Sequence, residues 1–190
     1  MGKQTKADIT REALREQLWP GSGARVWKGP EEVGYWCAPR VLPLILFLAA
    51  DKKLVGKPDC SAVYLELLAR DLGQGIVEIL DEDEHAFFAG YTGERARRTW
   101  QERVQALTNA GFIEIRAKGN RKFGYILLLH PAAVVAKLRQ QGKIADAWWT
   151  LYQQRLRQVG APTHAEIAPE FRVLEGQAGR DSAPTRRQRK

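Results

Sequence analysis

Between residues 83 and 130 the apolar residues change their period, and no other feature limits the possible folds of this chain so tightly. Ala96, Trp100, Val104 and Leu107 recur at intervals of four, four and three, so on a helix they make one buried stripe. Gly111 follows where a helix of that phase would end, and Phe112, Ile113 and Ile115 then bring strand-forming residue types. Lys118-Gly119-Asn120-Arg121-Lys122 combines turn chemistry with three cations. From Phe123 to Leu129 every residue is apolar or aromatic except Gly124. A long helix followed by a hairpin with an apolar stem and a basic tip is expected. Before it, a shorter apolar helix through Phe87 and Phe88 and a tight turn over 90–93 complete the set.

Opposite the apolar stripe stand Glu94, Arg95, Arg98, Gln101, Glu102 and Gln105. Such side chains can address base edges: arginine binds guanine through two hydrogen bonds, glutamine does the same with adenine, and a carboxylate accepts from cytosine. The order helix, turn, helix, hairpin resembles a winged helix-turn-helix. The resemblance implies a mainly α fold with a small antiparallel β-hairpin or sheet and flanking helices. It also implies double-stranded DNA as partner, with the helix over 93–110 in the major groove and the hairpin on phosphate or in the minor groove. Arg95, Arg98, Gln101, Glu102 and Gln105 would then read bases, and Arg97, Arg116, Lys118, Arg121 and Lys122 would hold the backbone. Against this stands a plain solvated helix beside a charged hairpin, since the same fold also serves as a protein–protein module. The module looks like those of bacterial transcription regulators and of plasmid replication and partition proteins. APRVLPLI (38–45) and ERARRTWQERVQALTNAGFIEI (94–115) are similar to uncharacterised proteins of plasmids and integrative elements.

A net charge of +8 and a pI near 9.7 favour polyanionic partners. No run of eighteen apolar residues offers a membrane span. Cys37 and Cys60 lack partners at metal-ligand spacing and read as cytosolic thiols. A soluble, cytoplasmic or nucleoid-associated protein is expected.

Four regions are expected along the chain: a basic arm with a short helix (1–24), the winged domain (25–130), two appended helices (131–160) and a largely disordered basic tail (161–190). Thr10 would cap a helix over 11–18, which either frays or reaches DNA or a sister subunit. Val26, Trp27, Val33, Tyr35 and Trp36 are too aromatic for a free linker and should dock on the core. Pro39 and Pro43 bracket the start of a helix that is apolar nearly all round, placed here as the first of the winged domain, with Arg40 at its beginning as a phosphate or structural contact. Residues 51–58 read as a basic loop, 62–72 as a helix and 76–80 as a short strand pairing with the hairpin. After Pro131 come helices over 132–141 and 144–159. The second carries Trp148, Leu151, Tyr152 and Leu156 on one face, a candidate homodimer contact or packing within the chain. In the tail, Arg186, Arg187, Arg189 and Lys190 are candidate phosphate contacts.

Glu78, Asp81, Glu82, Asp83 and Glu84 form the one dense acidic run. Without a Gly-punctuated calcium loop they read as a helix start, with Asp81 or Asp83 as cap, rather than as a metal site. His85 beside them reads as a surface or helix-start residue. His85, His130 and His164 lie far apart, and no nucleotide-binding loop, zincin pair or nucleophile elbow accompanies them. No catalytic residue, metal or cofactor is expected.

Overall fold

A computed structural model describes residues 6–26, 38–56, 58–71 and 73–160, and for 6–8 and 38–40 the backbone alone. The expectations for Trp27, Val33, Tyr35 and Trp36, for the side chain of Arg40, and for the tail with Arg186, Arg187, Arg189 and Lys190 fall outside these residues. The described part is mainly helical. In chain order it runs α1 (Lys6–Leu18), α2 (Ala38–Ala50), α3 (Lys52–Val55), α4 (Ser61–Arg70), β1 (Ile76–Glu78), α5 (Glu82–Phe88), α6 (Ala96–Ala110), β2 (Ile113–Lys118), β3 (Arg121–Leu128), α7 (Pro131–Gln140) and α8 (Asp146–Val159). The strands make one antiparallel sheet in the order β1-β3-β2. Helix, strand, helix, helix and hairpin thus follow one another from α4 to β3, with α1, α2, α7 and α8 flanking them.

β3 is central, and every residue from Phe123 to Leu128 is buried, with apolar side chains on both faces. Ile126 and Leu128 join the main core beneath α6, whereas Tyr125 and Leu127 face a smaller cluster with Trp19, Val26 and Ile76. That smaller cluster is closed by α1, whose Leu14 and Leu18 pack on it. Arg15, buried among them, donates to the Gln74 carbonyl at 3.2 Å. So the first helix is neither frayed nor a free arm. It starts at Lys6, placing Thr10 inside it rather than at its cap.

The hairpin turns through two residues, Gly119 and Asn120, between the paired Lys118 and Arg121. Gly119 has φ 57° and Asn120 does not share the positive φ, the sign pattern of a II′ turn with glycine first. Between Arg116 and Lys118 the register slips, so that two steps on β2 answer four on β3, from Tyr125 to Arg121. The strands then pass so closely that a Cβ at Gly124 would lie 2.4 Å from both the Cβ and the backbone nitrogen of Lys118. Gly124 is the interruption in the apolar run because only glycine fits this approach.

Elsewhere the structure departs from expectation in local ways. The supposed loop 51–58 contains α3, capped by the Asp51 side chain, which accepts from the Lys53 amide at 2.9 Å. Pro43 lies inside α2, which begins at Ala38. α2 packs on α4 and α8, whereas α4 is the helix that contacts both α5 and α6 and so occupies the place assigned to α2. The first strand is shorter than 76–80, but Ile79 still donates to the Gly124 carbonyl at 3.0 Å. On α8, Trp148, Tyr152 and Leu156 are buried in the chain's own core, the two rings stacked 5.1 Å apart, and Leu151 alone of the dimer candidates is exposed. Among the described residues no helix is long and apolar enough to cross a membrane.

Candidate nucleic-acid interface

Helix α6 is fixed by its inner stripe. Trp100, Val104 and Leu107 are fully buried, and the Trp100 ring meets Phe123 edge-on at 5.9 Å and His85 at 5.6 Å. Gly111 closes the helix, with its amide donating to the last-turn carbonyls. Once that stripe is buried, the 3.6-residue period decides what faces outward. Arg95, Arg98 and Glu102 are exposed, and Gln101 and Gln105 half-buried.

The outward side chains are organised by neighbours on three elements. Arg98, its side chain 78% exposed, donates from Nε to Glu102 Oε1 at 3.0 Å, one turn along. Arg97 donates from Nε to Asp83 Oδ1 at 2.8 Å, and its Nη2 reaches the other carboxylate oxygen. That hydrogen bond holds the Asp83 carboxyl below its usual value and raises Arg97. Gln101 Nε2 donates to Glu82 Oε2 at 2.6 Å. Gln105 donates to Asn109 Oδ1 at 3.1 Å and accepts from Lys122 Nζ at 2.9 Å, which ties the hairpin to the helix.

The hairpin cations are likewise engaged. Lys118 pairs with Glu78, whose hydrogen bond raises its pKa, and lies over the Tyr125 ring at 5.4 Å. Arg121 donates from Nη1 to the carbonyls of Leu80, at 2.8 Å, and Ile79, at 3.2 Å. Arg116 stands over the Trp19 ring at 5.5 Å, on the α1 side of the sheet. The geometry therefore gathers Arg95, Arg98, Gln101, Glu102, Gln105 and Lys122 on one surface, with Arg97 at its edge against α5. It sends Arg116 to the opposite face and gives Arg121 the task of holding the β1–α5 connection.

The acidic run is a helix start: Asp81 caps α5 by accepting from the Asp83 amide at 2.9 Å. His85 is not the surface residue expected of it. It is buried, with Nδ1 3.0 Å from Glu66 Oε1. The same oxygen accepts from Arg70 Nε at 2.8 Å, and Arg70 Nη2 continues to Glu84 Oε1 at 3.0 Å. This chain of polar groups joins α4 to α5. Its readable trace was Glu66 and Arg70, four apart on a helix. Arg103 is a second unforeseen element, half-buried with its guanidinium 5.2 Å from the Tyr91 ring. Cys60 is buried and burial pushes its thiol up to about 11, which suits a packed thiol rather than a nucleophile. Among the described residues no three His, Cys, Asp or Glu side chains converge as a metal site.

No protein-family model, curated protein or solved structure matches this chain.

Proposed function

We propose that this chain is a sequence-specific double-stranded DNA-binding protein that lays the outer face of α6 in the major groove and rests the hairpin on the backbone or in the minor groove. One observation carries the proposal: a helix locked on its inner side by Trp100, Val104 and Leu107 presents Arg95, Arg98 and Glu102 outward, with Lys122 of the hairpin joined to it through Gln105. Recognition requires side chains held at a fixed phase on a rigid element, and α6 supplies them. Arg98 is already oriented by Glu102, but an exposed pair is screened by water and yields readily to a guanine edge. The role this suits is a bacterial transcription regulator, or an accessory factor in replication or partition of a plasmid or mobile element.

A second proposal rests on a specific observation too. The carboxylates of Glu78, Glu82 and Asp83 partner Lys118, Gln101 and Arg97, lowering the positive potential next to the helix. A winged domain that binds protein rather than DNA would carry such a balanced surface. The test is selection of bound sequences from a random duplex pool, with footprinting of the winners and a salt series. Sequence-specific binding gives one enriched motif and an affinity that falls steeply with salt. Arg98→Ala then costs about 1–3 kcal/mol of affinity and relaxes base preference, whereas Lys118→Ala weakens all sequences alike. Failure to retain any duplex at low salt favours the protein-binding role.

A further inference from the structure

The apolar face of α8 is taken up by the chain's own core, whereas α4 and α5 leave another open to solvent. Leu80, Phe87 and Phe88 are 68, 65 and 63% exposed, and Leu65 of α4 is exposed as well. Between the two helices lies an open groove of about 530 Å³, floored by Ala62, Leu65 and Ala69 and walled by Phe88. Ala62 and Ala69 stand three and four residues from Leu65 on one side of α4, so the floor carries little side chain at either end. The Phe88 ring is held by the Arg70 guanidinium, 4.8 Å from its centroid, and by Phe87, edge-on at 6.0 Å. Phe87 is not part of the groove lining and projects into water. One face thus carries a hollow and, beside it, a projecting ring.

We infer that a second copy of the chain docks on this face, in a two-fold pair that seats each Phe87 in the other copy's groove. A two-fold contact requires one patch to hold both knob and hole, and Phe87 beside the alanine floor supplies them. Leu65, Leu80, Phe87 and Phe88 leave on the order of 400 Å² of apolar surface open per copy. A homodimer contact about 65% apolar would then bury about 1,200 Å² in all, the lower end of stable, specific interfaces. The rim charges are answered inside the chain, Glu84 by Arg70 and Asp83 by Arg97, and Asp81 caps α5. Two copies therefore meet without opposing runs of unpaired charge, whereas a basic partner would have to break those pairs and a polyanion would meet carboxylates. Arg70, bonded to Glu66 and Glu84, also fixes the Phe88 wall before docking, which lowers the ordering cost of association. The pairing holds whether or not α6 reads bases.

Sedimentation equilibrium of the full chain over about 1–100 µM, a range that brackets a micromolar dissociation constant, tests the pairing. A monomer–dimer equilibrium is expected. Phe87→Glu removes the knob and Ala62→Glu fills the groove, and each should weaken the dimer at least tenfold. Leu151→Glu, at the exposed leucine of α8, should leave it unchanged. Phe87 and Ala62 are exposed, so neither change enters the core, and circular dichroism melts matching that of the parent chain verify this. In an equal mixture of isotope-labelled and unlabelled chains, Phe87→p-benzoylphenylalanine should on illumination join position 87 of one copy to a peptide of α4 in the other. A monomer at every concentration, a dimer indifferent to both Phe87→Glu and Ala62→Glu, an equal loss with Leu151→Glu, or crosslinks confined to a single copy would each overturn the assignment.

Discussion

The two sides of α6 obey different rules. On the inner side Trp100, Val104 and Leu107 lose all contact with solvent, and their identity is set by shape against Phe123, His85 and the sheet. On the outer side Arg95, Arg98 and Glu102 stay in water, where geometry costs little to change. The inner side fixes where the helix lies and the outer side what it can meet. Substitutions on the two sides should therefore separate stability from binding.

The largest effect should come from Trp100→Ala, which removes the ring between Phe123 and His85 and should cost about 3–5 kcal/mol in urea unfolding. A loss under 1 kcal/mol would mean that the helix is held elsewhere. Alkaline pH should act next. A thiol free to ionise in the unfolded chain near 9.0 but only at about 11 in the folded one gives its full stability below pH 9. That contribution is lost as pH rises from 9 to 11, on the order of 2 kcal/mol. Cys60→Ala should flatten denaturation between pH 9 and 10, leaving the loss above pH 10 that the buried Tyr64 and Tyr152 produce, since burial raises both hydroxyls. His85→Ala leaves the buried Glu66 with Arg70 alone, and should cost about 1–3 kcal/mol by thermal unfolding. Smallest is Arg98→Ala, expected to move stability by less than about 0.5 kcal/mol. A larger shift in its melting curve would place Arg98 among the structural residues and blur the contrast between the two sides.

Sequence patterns disclosed the inner side well, because burial follows the 3.6 and 2 periods that Trp100 and the hairpin stem display. Asp81 as cap and Gly111 as helix end were readable for the same reason: their partners lie within a few residues. The outer side was legible by residue type but not by partner. That Asp83 answers Arg97 and Glu82 answers Gln101 depends on the angle between α5 and α6, and no local spacing encodes it. His85 was misplaced because five acidic neighbours in sequence suggest water, whereas its actual neighbours, Glu66 and Trp100, arrive from other helices. The first helix misled in the opposite way. A terminal helix has a weak apolar face by itself and becomes fixed when Tyr125 and Leu127 turn out to line the far side of the sheet.

Among the described residues the sheet ends in β1 on one margin and β2 on the other, and both are poor templates for another strand. β1 offers three residues. β2, on the other margin, carries the exposed Arg116 and Lys118 and ends in a register slip. Short strands, cations and irregular pairing are the features by which natural sheets resist edge-to-edge growth. The strongly apolar β3, the segment most prone to aggregate if left bare, is thereby enclosed between two margins that give amyloid-like addition no foothold.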